Sequence, residues 1–550
     1  MKKLICALLA VSALSTTTVT TASASDTDIL KVGLRYGSSA MFAANLQNEE
    51  GSGYRFGWYD EYRDFYPIGE TDETAITMIA GGDIYMNGSG EYTSEPTGAY
   101  RVLGGYHAEL TGYDDFYDAA SDAEKWRDAW PAYIEGEYVV RIGSYTDQWE
   151  AESRAQEVDG SVVESSDTGV LVTETRTEHI LFEYDDPRGY PLGVEPQERH
   201  GEPVTWFKGY KYRGGFEYAR KRGGNLSVIN VVELEDYVKG VIPYEMSPSW
   251  PLEALKAQAV GARTFAKACV KHRSDGFDVC NGQHCQVYGG LNVADARSDR
   301  AVDETAGELL YYDGKLVPDA VYHASNGGAT EDGEVIWGGK SPYLKGKPDP
   351  YEAQTNIPGY QWSVTYSASE LTWILEQKGY TIGQVRNVYV SKRTPNGNVQ
   401  EVVFEGSRDT LRVTGERCRT IFGSSTYNKY VKSQRYEING GGAPAPGVYI
   451  NDTATPVEDL TGVTVLDSSG KLVTLAGNTA SVITASGVKE LSGGQVSQPA
   501  PSGSGDSFTI TGAGNGHNVG MSQYGAKAMA ELGYNYRDIL EFYYTDITIE

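Results

Sequence analysis

The sequence is poor in positive charge, in cysteine and in long apolar runs. Its 550 residues include 47 lysines and arginines against 75 aspartates and glutamates, which gives a formal net charge of −28. A chain this acidic lacks the basic surface that binds phosphate backbones, so the composition excludes nucleic acid as a partner. It also disfavours adsorption to anionic polymers through overall charge, so any such binding requires local sites.

Only the first residues contain an extended apolar run. Lys2 and Lys3 precede an apolar stretch from Leu4 to Leu14, and the small residues Ala22-Ser23-Ala24 follow it. This order of charge, apolar run and small residues predicts a signal peptide at 1–24 and an exported protein. Later segments fall short of the roughly 18 to 20 consecutive apolar residues that a membrane helix needs. The sequence therefore predicts no transmembrane segment in the mature chain.

Cysteine is scarce, and one of the five lies in the predicted signal peptide. The segment DVCNGQHCQ brings Cys280, His284 and Cys285 close enough to share one Zn²⁺, and His272 is the natural fourth ligand, although its spacing departs from common zinc patterns. A Cys280–Cys285 disulfide is the alternative, which export permits. The chain lacks an HExxH motif, which disfavours a zinc peptidase and favours a structural role for any zinc.

Tyrosine and glycine are abundant, with 40 and 65 copies. Short alternating segments such as Ile29–Arg35 and Ala75–Met86, broken by Gly, Asn and Asp, predict β structure. Helical patterns occur at Asp114–Trp130, Leu252–Val270 and, near the end of the chain, from Met521 to Leu532 and Tyr536 to Tyr544. We therefore predict an α+β fold, a β-rich multidomain chain with a few helices around a catalytic groove.

The predicted domains follow this organisation. A β-rich region spans 25–130. Next come a strand at Tyr138–Tyr145, a helix at Gln148–Val158 and a strand at Gly169–Glu174. This strand, helix and strand resemble a SPOR domain, a small module that binds cell-wall glycan strands stripped of peptides. The resemblance implies a glycan-binding domain at 135–186.

Strand patterns continue from Glu178 to Val241. Two Gly/Pro-rich linkers, Gly440–Gly447 and Ser497–Gly505, then bracket a segment in which Val, Leu and Ile alternate with Thr, Ser and Gly. The sequence thus predicts a small β insert at 440–507. We expect it to interrupt one domain, whose two parts are 187–439 and 508–550.

Three separated motifs carry a second resemblance. They are LEDYVKGVIPYEMSPSWPLEALKAQAVGARTF at Leu234–Phe265, VYHASNGGATEDGEVIWGGKSPYL at Val321–Leu344, and GAGNGHNVGMSQYGA at Gly512–Ala526. Together they resemble the family of stage II sporulation protein D and its relatives, the amidase enhancers. The resemblance implies an exported, secreted or cell-wall-associated lytic transglycosylase that cleaves peptidoglycan glycan strands between MurNAc and GlcNAc, preferring denuded strands. Some members of this family carry a zinc.

The resemblance also implies roles for individual residues. Glu245 corresponds to the catalytic acid, and Lys256 and Arg263 on the following helix correspond to positions linked with substrate binding. The remaining implied substrate-binding residues lie in the second and third motifs: Tyr322, Ser325, Asn326, Gly327, Gly328, His517, Ser522, Gln523 and Tyr524. One residue departs from the family pattern, because Asn518 stands where a glycine is expected.

The chemistry of glycosidic cleavage agrees with a role for Glu245. A carboxylic acid must be protonated to donate to the leaving oxygen, and apolar neighbours such as Tyr244, Met246 and Trp250 would raise its pKa. A hydrolase of the usual type needs a second carboxylate. A lytic transglycosylase instead uses the 6-hydroxyl of the sugar as nucleophile and forms a 1,6-anhydro end, so one glutamate can be acid and then base.

A different class of function stays open. The enhancer branch of the family implies a non-catalytic wall-binding protein that recruits or stimulates an N-acetylmuramoyl-L-alanine amidase. The expected partners are therefore glycan strands and, in this alternative, an amidase or another wall-remodelling protein.

Overall fold

The computed structural model describes residues 28–439, except 178, 187, 200 and 222, and residues 507–550, together with short pieces between these ranges (461, 464–466, 472–477, 479–484 and 487–492). The predicted signal peptide and both linkers lie outside the described residues. The chain divides into two compact units. The first contains the described residues up to Leu234 and Ala266–Val287, and the second contains Glu235–Phe265 and those from Tyr288 to Glu550.

The first unit contains a seven-stranded sheet that includes the predicted strand Ile29–Arg35. In spatial order its strands are Val279–Cys280, Ile29–Arg35, Leu226–Glu233, Gly215–Arg220, Leu192–Glu198, Gly51–Tyr59 and Phe65–Thr71. All neighbours are antiparallel except the first pair, in which Val32 lies beside Val279. The alternating apolar residues Leu30, Val32 and Leu34 are buried, which explains why this segment forms a strand.

The first unit also contains a ten-stranded sheet and a small three-stranded sheet. The large sheet has the order Ser161–Glu164, Tyr106–Tyr113, Glu137–Tyr145, Ala129–Ile134, Ile180–Asp185, Val170–Glu174, Ala75–Ala80, Ala43–Asn48, Thr205–Phe207 and Tyr210–Tyr212. The small sheet has the order Tyr92–Thr93, Ile84–Asn87 and Ala99–Leu103. These sheets confirm the prediction of a β-rich, α+β chain.

One end of the large sheet has β-α-β-β-α-β connectivity between Tyr106 and Glu164. Helix α1, Phe116–Ala123, and helix α2, Gln148–Val158, belong to one buried cluster with the sheet residues Ala108, Val140 and Ile142. This is the split βαβ arrangement of many small domains. The predicted range 135–186 contains its second half and two further strands.

Helix prediction in this region was right for α2 and too long for α1. The expected helix at Asp114–Trp130 ends at Ala123, because Ala129–Ile134 pairs as a strand with Glu137–Tyr145. Partner strands can override a helical pattern in this way.

The second unit begins with a helix where a strand was expected. The strand pattern was predicted to extend to Val241, but Leu234–Glu245 is helix α3 and its apolar residues Tyr237, Val238, Val241 and Ile242 are buried. Their spacing of three and four residues is helical, and the β-branched residues gave a misleading strand signal. Helix α4, Leu252–Ala268, follows as predicted.

The remaining elements of the second unit follow these two helices in the sequence. Its other helices are α5 Ala296–Asp303, α6 Gly333–Trp337, α7 Ala368–Gln377, α8 Arg417–Thr420, α9 Gln523–Glu531 and α10 Tyr536–Tyr543. One sheet has the spatial order Lys315–Leu316, Leu310–Tyr312 and Ile547–Ile549, and a two-stranded sheet pairs Tyr322–His323 with Met521–Ser522. Another sheet has the order Gln361–Ser367, Ser507–Ala513 and Tyr436–Asn439. A further sheet has the order Val385–Arg393, Val399–Gly406 and Thr410–Thr414.

Most of the predicted insert lies outside the described residues. Its described pieces form two antiparallel pairs, Thr464–Leu466 with Leu472–Thr474 and Thr479–Thr484 with Gly487–Ser492. Among the described residues of the whole chain, no helix is both long enough and apolar enough to span a bilayer.

Candidate active site

Short strand pairing brings the second and third motifs together. Tyr322–His323 pairs in parallel with Met521–Ser522, and the backbone N–H of Tyr524 donates to the carbonyl of Ala324 at 3.0 Å. Ser325 and Asn515 also exchange backbone hydrogen bonds. Residues almost 200 positions apart in sequence thus form one scaffold, which supports the start of helix α9.

Glu245 is the last residue of helix α3 and contacts this scaffold. Its Oε2 accepts a hydrogen bond of 3.1 Å from Nε2 of Gln523, the first residue of α9. Burial raises the pKa of the Glu245 carboxyl above its ordinary value, and the hydrogen bond from Gln523 opposes this shift. Desolvation favours the neutral acid in this way, which is the state that a proton donor needs.

Apolar and aromatic residues lie close to Glu245 in the sequence. Met246 is buried, Tyr244 is 45% exposed, and the Trp250 ring lies 4.8 Å from the ring of Tyr524, centroid to centroid. Lys527 Nζ lies 5.9 Å from the Trp250 ring centroid. Rings of this kind can pack on sugar faces and lower the local dielectric around a carboxyl group.

Gln523 gives a direct test of how the Glu245 pKa is set. In Gln523→Met, the carboxylate loses the hydrogen bond that stabilises its charged form, so the pKa of Glu245 should rise further. General-acid cleavage falls as pH rises through the pKa of the acid, so we expect the basic limb of kcat/KM to move to higher pH. A pH profile of cleavage measures this shift. A basic limb that stays at the parental pH, or moves to lower pH, in a folded variant would contradict the prediction.

Glu352 is a residue of this scaffold that the sequence motifs did not single out. Its side chain is buried and accepts hydrogen bonds from the Asn326 N–H at 2.6 Å, the Gly327 N–H at 3.0 Å and the Ser325 hydroxyl at 2.9 Å. The Ser522 hydroxyl also donates to it. One carboxyl group therefore fixes the Ser-Asn-Gly-Gly turn to the N-cap of α9, directly beside Gln523.

A second buried acid, Asp349, completes the support of this turn. It accepts from the Asn326 side-chain amide at 2.8 Å and from the Tyr543 hydroxyl at 2.7 Å. The only sequence signal was the acidic pair in DPYE, which follows the second motif. The polar groups of Ser325, Asn326 and Ser522 are thus buried and directed inward, so this geometry favours positioning over direct contact with a sugar.

The two glycines of the turn are required by backbone conformation. Gly327 and Gly328 have φ angles of +75° and +111°, which side chains rarely allow. A Cβ at position 327 would also lie 2.6 Å from the Ala513 carbonyl oxygen. Glycine at both positions therefore lets the turn pack closely against the third motif.

His517 and Asn518 belong to the glycine-rich loop of the third motif. Burial lowers the pKa of His517 to about 4, and its Nδ1 accepts from the Val519 N–H at 3.1 Å. Asn518 has a φ of +66° and donates from its amide to Asn398 Oδ1 at 3.0 Å. Asparagine tolerates this left-handed conformation, which explains how it replaces the expected glycine.

Lys256 and Arg263 occupy different environments although they share a helix. Lys256 Nζ pairs with Glu253 at 2.9 Å and Glu304 at 2.7 Å, with 14% of the side chain exposed. Arg263 is fully buried and binds both carboxylate oxygens of Glu235, at 2.8 and 2.7 Å. Arg263 therefore ties α4 to the first turn of α3, the helix that ends at Glu245.

This arrangement predicts a structural effect at Arg263. Arg263→Ala leaves Glu235 and several buried carbonyls without their donor, so we expect a loss of about 3 kcal/mol in the free energy of unfolding. Lys256→Ala is the matched control on the same helix, and we expect less than about 1 kcal/mol because both glutamates that it pairs with are partly exposed. Thermal and urea unfolding of both variants measure this. Equal stability of the two variants would contradict a positioning role for Arg263.

A separate cluster lies in the first unit. His272, Cys280, His284 and Cys285 place one ligand atom each within 4.8 Å of all the others. His272 Nε2 and His284 Nδ1 are 3.1 Å apart, and Cys285 Sγ and His284 Nδ1 are 3.8 Å apart. Tetrahedral zinc with nitrogen and sulfur ligands needs donor separations of about 3.3 to 3.8 Å, so small side-chain shifts bring all four donors to one ion.

The surroundings of this cluster also fit a metal. Asp275 Oδ2 lies 3.1 Å from His272 Nδ1, which is the carboxylate partner that commonly orients a zinc-binding imidazole. Cys280 and Cys285 are both free thiols in the structure. Val279–Cys280 pairs with Val32–Gly33, so the cluster is attached to the edge of the seven-stranded sheet.

Comparisons with known proteins include a family model that covers the first of the three motifs. Residues 222–312 match the family model described as SpoIID, stage II sporulation protein. The chain is 32% identical over 327 residues to the amidase enhancer of Bacillus subtilis (strain 168), which covers 57% of this chain and 40% of that relative. It is 29% identical over 341 residues to stage II sporulation protein D of the same strain, covering 59% of this chain and 76% of the relative.

A further relative extends the match. An uncharacterized protein of Brachyspira hyodysenteriae is 28% identical over 382 residues, covering 69% of this chain and 82% of the relative. The family model and these relatives support a relation of this chain to the SpoIID family. The chain spans only 40% of the length of the amidase enhancer.

Proposed function

We propose that this protein is an exported lytic transglycosylase that cleaves peptidoglycan glycan strands between MurNAc and GlcNAc, with Glu245 as the catalytic acid. The observation that carries the proposal is the Glu245 carboxyl group, which burial holds toward its neutral form beside a single side-chain amide. Its place at the end of helix α3 and its hydrogen bond from Gln523 support the preorganisation that proton transfer requires.

The proposed reaction needs one carboxyl group. Protonated Glu245 donates its proton to the glycosidic oxygen, the bond from C1 of MurNAc to that oxygen breaks, and GlcNAc leaves with a hydroxyl group. The Glu245 carboxylate then accepts the proton of the MurNAc 6-hydroxyl as O6 bonds to C1, which forms the 1,6-anhydro end and restores the acid. Gln523 keeps the carboxylate oriented between these two transfers.

Mass spectrometry of the products from purified denuded strands tests this proposal. We expect fragments ending in 1,6-anhydro-MurNAc, which lack one water relative to hydrolytic products. Reducing ends without the anhydro form would indicate a hydrolase, and an unchanged strand would remove the proposed activity.

The name of one relative, an amidase enhancer, favours a second candidate function. In this function the chain would hold glycan without cleaving it and would stimulate an N-acetylmuramoyl-L-alanine amidase. Release of stem peptides by an added amidase, measured with and without this protein, separates the two functions. Stimulation that persists in Glu245→Gln would favour the enhancer.

The cluster of the first unit supports a structural zinc site as part of this proposal. His272, Cys280, His284 and Cys285 would hold the ion, and Asp275 would orient His272. Bound zinc would supply a cross-link between the ligand segment and the first unit's sheet, with no part in the cleavage.

The β-α-β-β-α-β segment supports a glycan-binding role for the first unit. The SPOR-like pattern that suggested this role includes Glu137–Tyr145 and helix α2, the second half of that segment. A folded fragment of residues 104–166 should therefore sediment with denuded sacculi, and an unrelated acidic domain should not.

A further inference from the structure

A cleft of about 660 Å³ lies in the second unit, outside the contacts that surround Glu245. Volumes of this size are typical of sites for small organic groups. It is built on the sheet that contains Gln361–Ser367, Ser507–Ala513 and Tyr436–Asn439. Its lining includes Trp362, Arg393, Arg435, Glu437 and Gly512.

The charges of the cleft do not balance. Arg393 pairs with Glu437 at 2.7 Å and also donates to the carbonyls of Gly397 and Tyr436. Arg435 donates through Nη1 to the Asn396 carbonyl at 2.7 Å, but within the described residues no carboxylate pairs with it. A partly exposed guanidinium with unused donors remains in a chain whose net charge is −28. This planar fork matches a carboxylate.

The buried Trp362 indole forms part of the wall of the cleft. The Trp362 indole is fixed by donation from Nε1 to the Gly514 carbonyl at 2.9 Å. A Cβ at position 512 would lie 2.4 Å from this ring, so the strand approaches the indole closely only because residue 512 is glycine. Packing of this strand on the buried ring therefore fixes the wall of the cleft.

The cleft adjoins the turn that the active site uses. A Cβ at Gly327 would lie 3.0 Å from Arg435 Cδ, so the arginine packs against the Ser-Asn-Gly-Gly turn. On its other side that turn is held by Glu352, which also binds Ser522, the residue before Gln523. A continuous set of contacts therefore links Arg435 to the neighbour of Glu245.

We infer that this cleft binds the lactyl carboxylate of a MurNAc residue in a denuded strand, with Arg435 as the residue that recognises its charge. The inference rests on the proposed function. It explains how the enzyme could distinguish strands without stem peptides from strands that carry them. A MurNAc lactyl group ends in a carboxylate after its stem peptide has been removed, and in a neutral amide while the peptide is attached. The guanidinium therefore favours strands without peptides.

The test compares strands that differ only in this group. The full chain carrying Glu245→Gln, which prevents cleavage, is titrated with denuded strands and with the same strands after their carboxylates are converted to methylamides. We expect about tenfold tighter binding to the denuded strands, because a hydrogen bond to a charged group contributes about 1.5 kcal/mol or more. Arg435→Gln should remove this preference, and Arg435→Lys should retain part of it.

The matched control is Arg386→Gln, which removes an exposed arginine on Val385–Arg393 that does not line the cleft. It should keep the tenfold preference. A preference that survives Arg435→Gln overturns the inference, and so does equal weakening of that variant toward denuded, methylamidated and peptide-bearing strands. Preference for a phosphate-rich wall polymer in place of the carboxylated strand also overturns it.

Cleavage by the parent chain is measured separately. Cleavage with no Arg435-dependent preference removes only this inference. An Arg435-dependent preference without cleavage contradicts only the transglycosylase proposal. Carboxylate recognition would then belong to a protein that binds glycan and stimulates an amidase. Absence of both binding and cleavage removes both.

Discussion

Replacement of Glu245 by glutamine is expected to lower the rate of strand cleavage by at least about 10² to 10⁴, the usual contribution of a positioned general acid. The amide has the shape of the acid and can keep the contact with Gln523, but it cannot donate a proton to the glycosidic oxygen. The loss can exceed this range because the same group would act in both proton transfers. Quantification of 1,6-anhydro ends by mass spectrometry measures the rate.

Folding and binding serve as controls for this variant. Because Glu245 lies at the end of α3 and not in its packed centre, we expect a thermal transition close to that of the parent. Glycan binding should be largely retained. Formation of anhydro ends at the parental rate by the folded variant would remove Glu245 from the catalytic role.

Removal of zinc is expected to give the largest effect on stability. The purified protein should contain about one zinc, and its chelation should lower the unfolding temperature of the first unit by about 10 °C. This follows because a ligand at 1,000 times its Kd stabilises the native state by about 4 kcal/mol, and 1 kcal/mol shifts the transition by about 2 to 4 °C for a domain of this size. Elemental analysis and calorimetry measure both quantities.

Two cysteine variants make this test specific. Cys280→Ser removes one proposed ligand and should abolish zinc binding. Cys418→Ser changes a buried thiol of the second unit that contacts the Val413 carbonyl, and it should keep the full zinc content. A metal-free parent with Cys280 and Cys285 joined in a peptide map would establish the disulfide instead.

Local sequence patterns were reliable where one segment contains the whole signal. The alternation of apolar residues in Ile29–Arg35 and their helical spacing in Gln148–Val158 predicted a strand and a helix with the observed bounds. In each case the spacing of apolar residues within the segment matches the period of the element that forms. The same reasoning failed at Leu234–Glu245. Its β-branched residues resemble a strand, while burial of one helical face decides the structure.

The candidate site shows a similar division. The motifs drew attention to Glu245 through their resemblance to a known family, and its role stays a prediction. The sequence also predicted that Cys280, Cys285 and two histidines lie close enough to share a metal, and the structure brings their ligand atoms within 4.8 Å of one another.

Only the tertiary structure decided which polar groups are free to act. The resemblance linked Arg263 with substrate binding, but packing buries it against Glu235, because the sequence alone does not reveal which side of a helix faces the interior. Glu352 carried no motif, and its importance comes from four donors that converge on it from two distant segments. Burial and convergence are properties of the folded chain, since each depends on residues that lie far apart in the sequence.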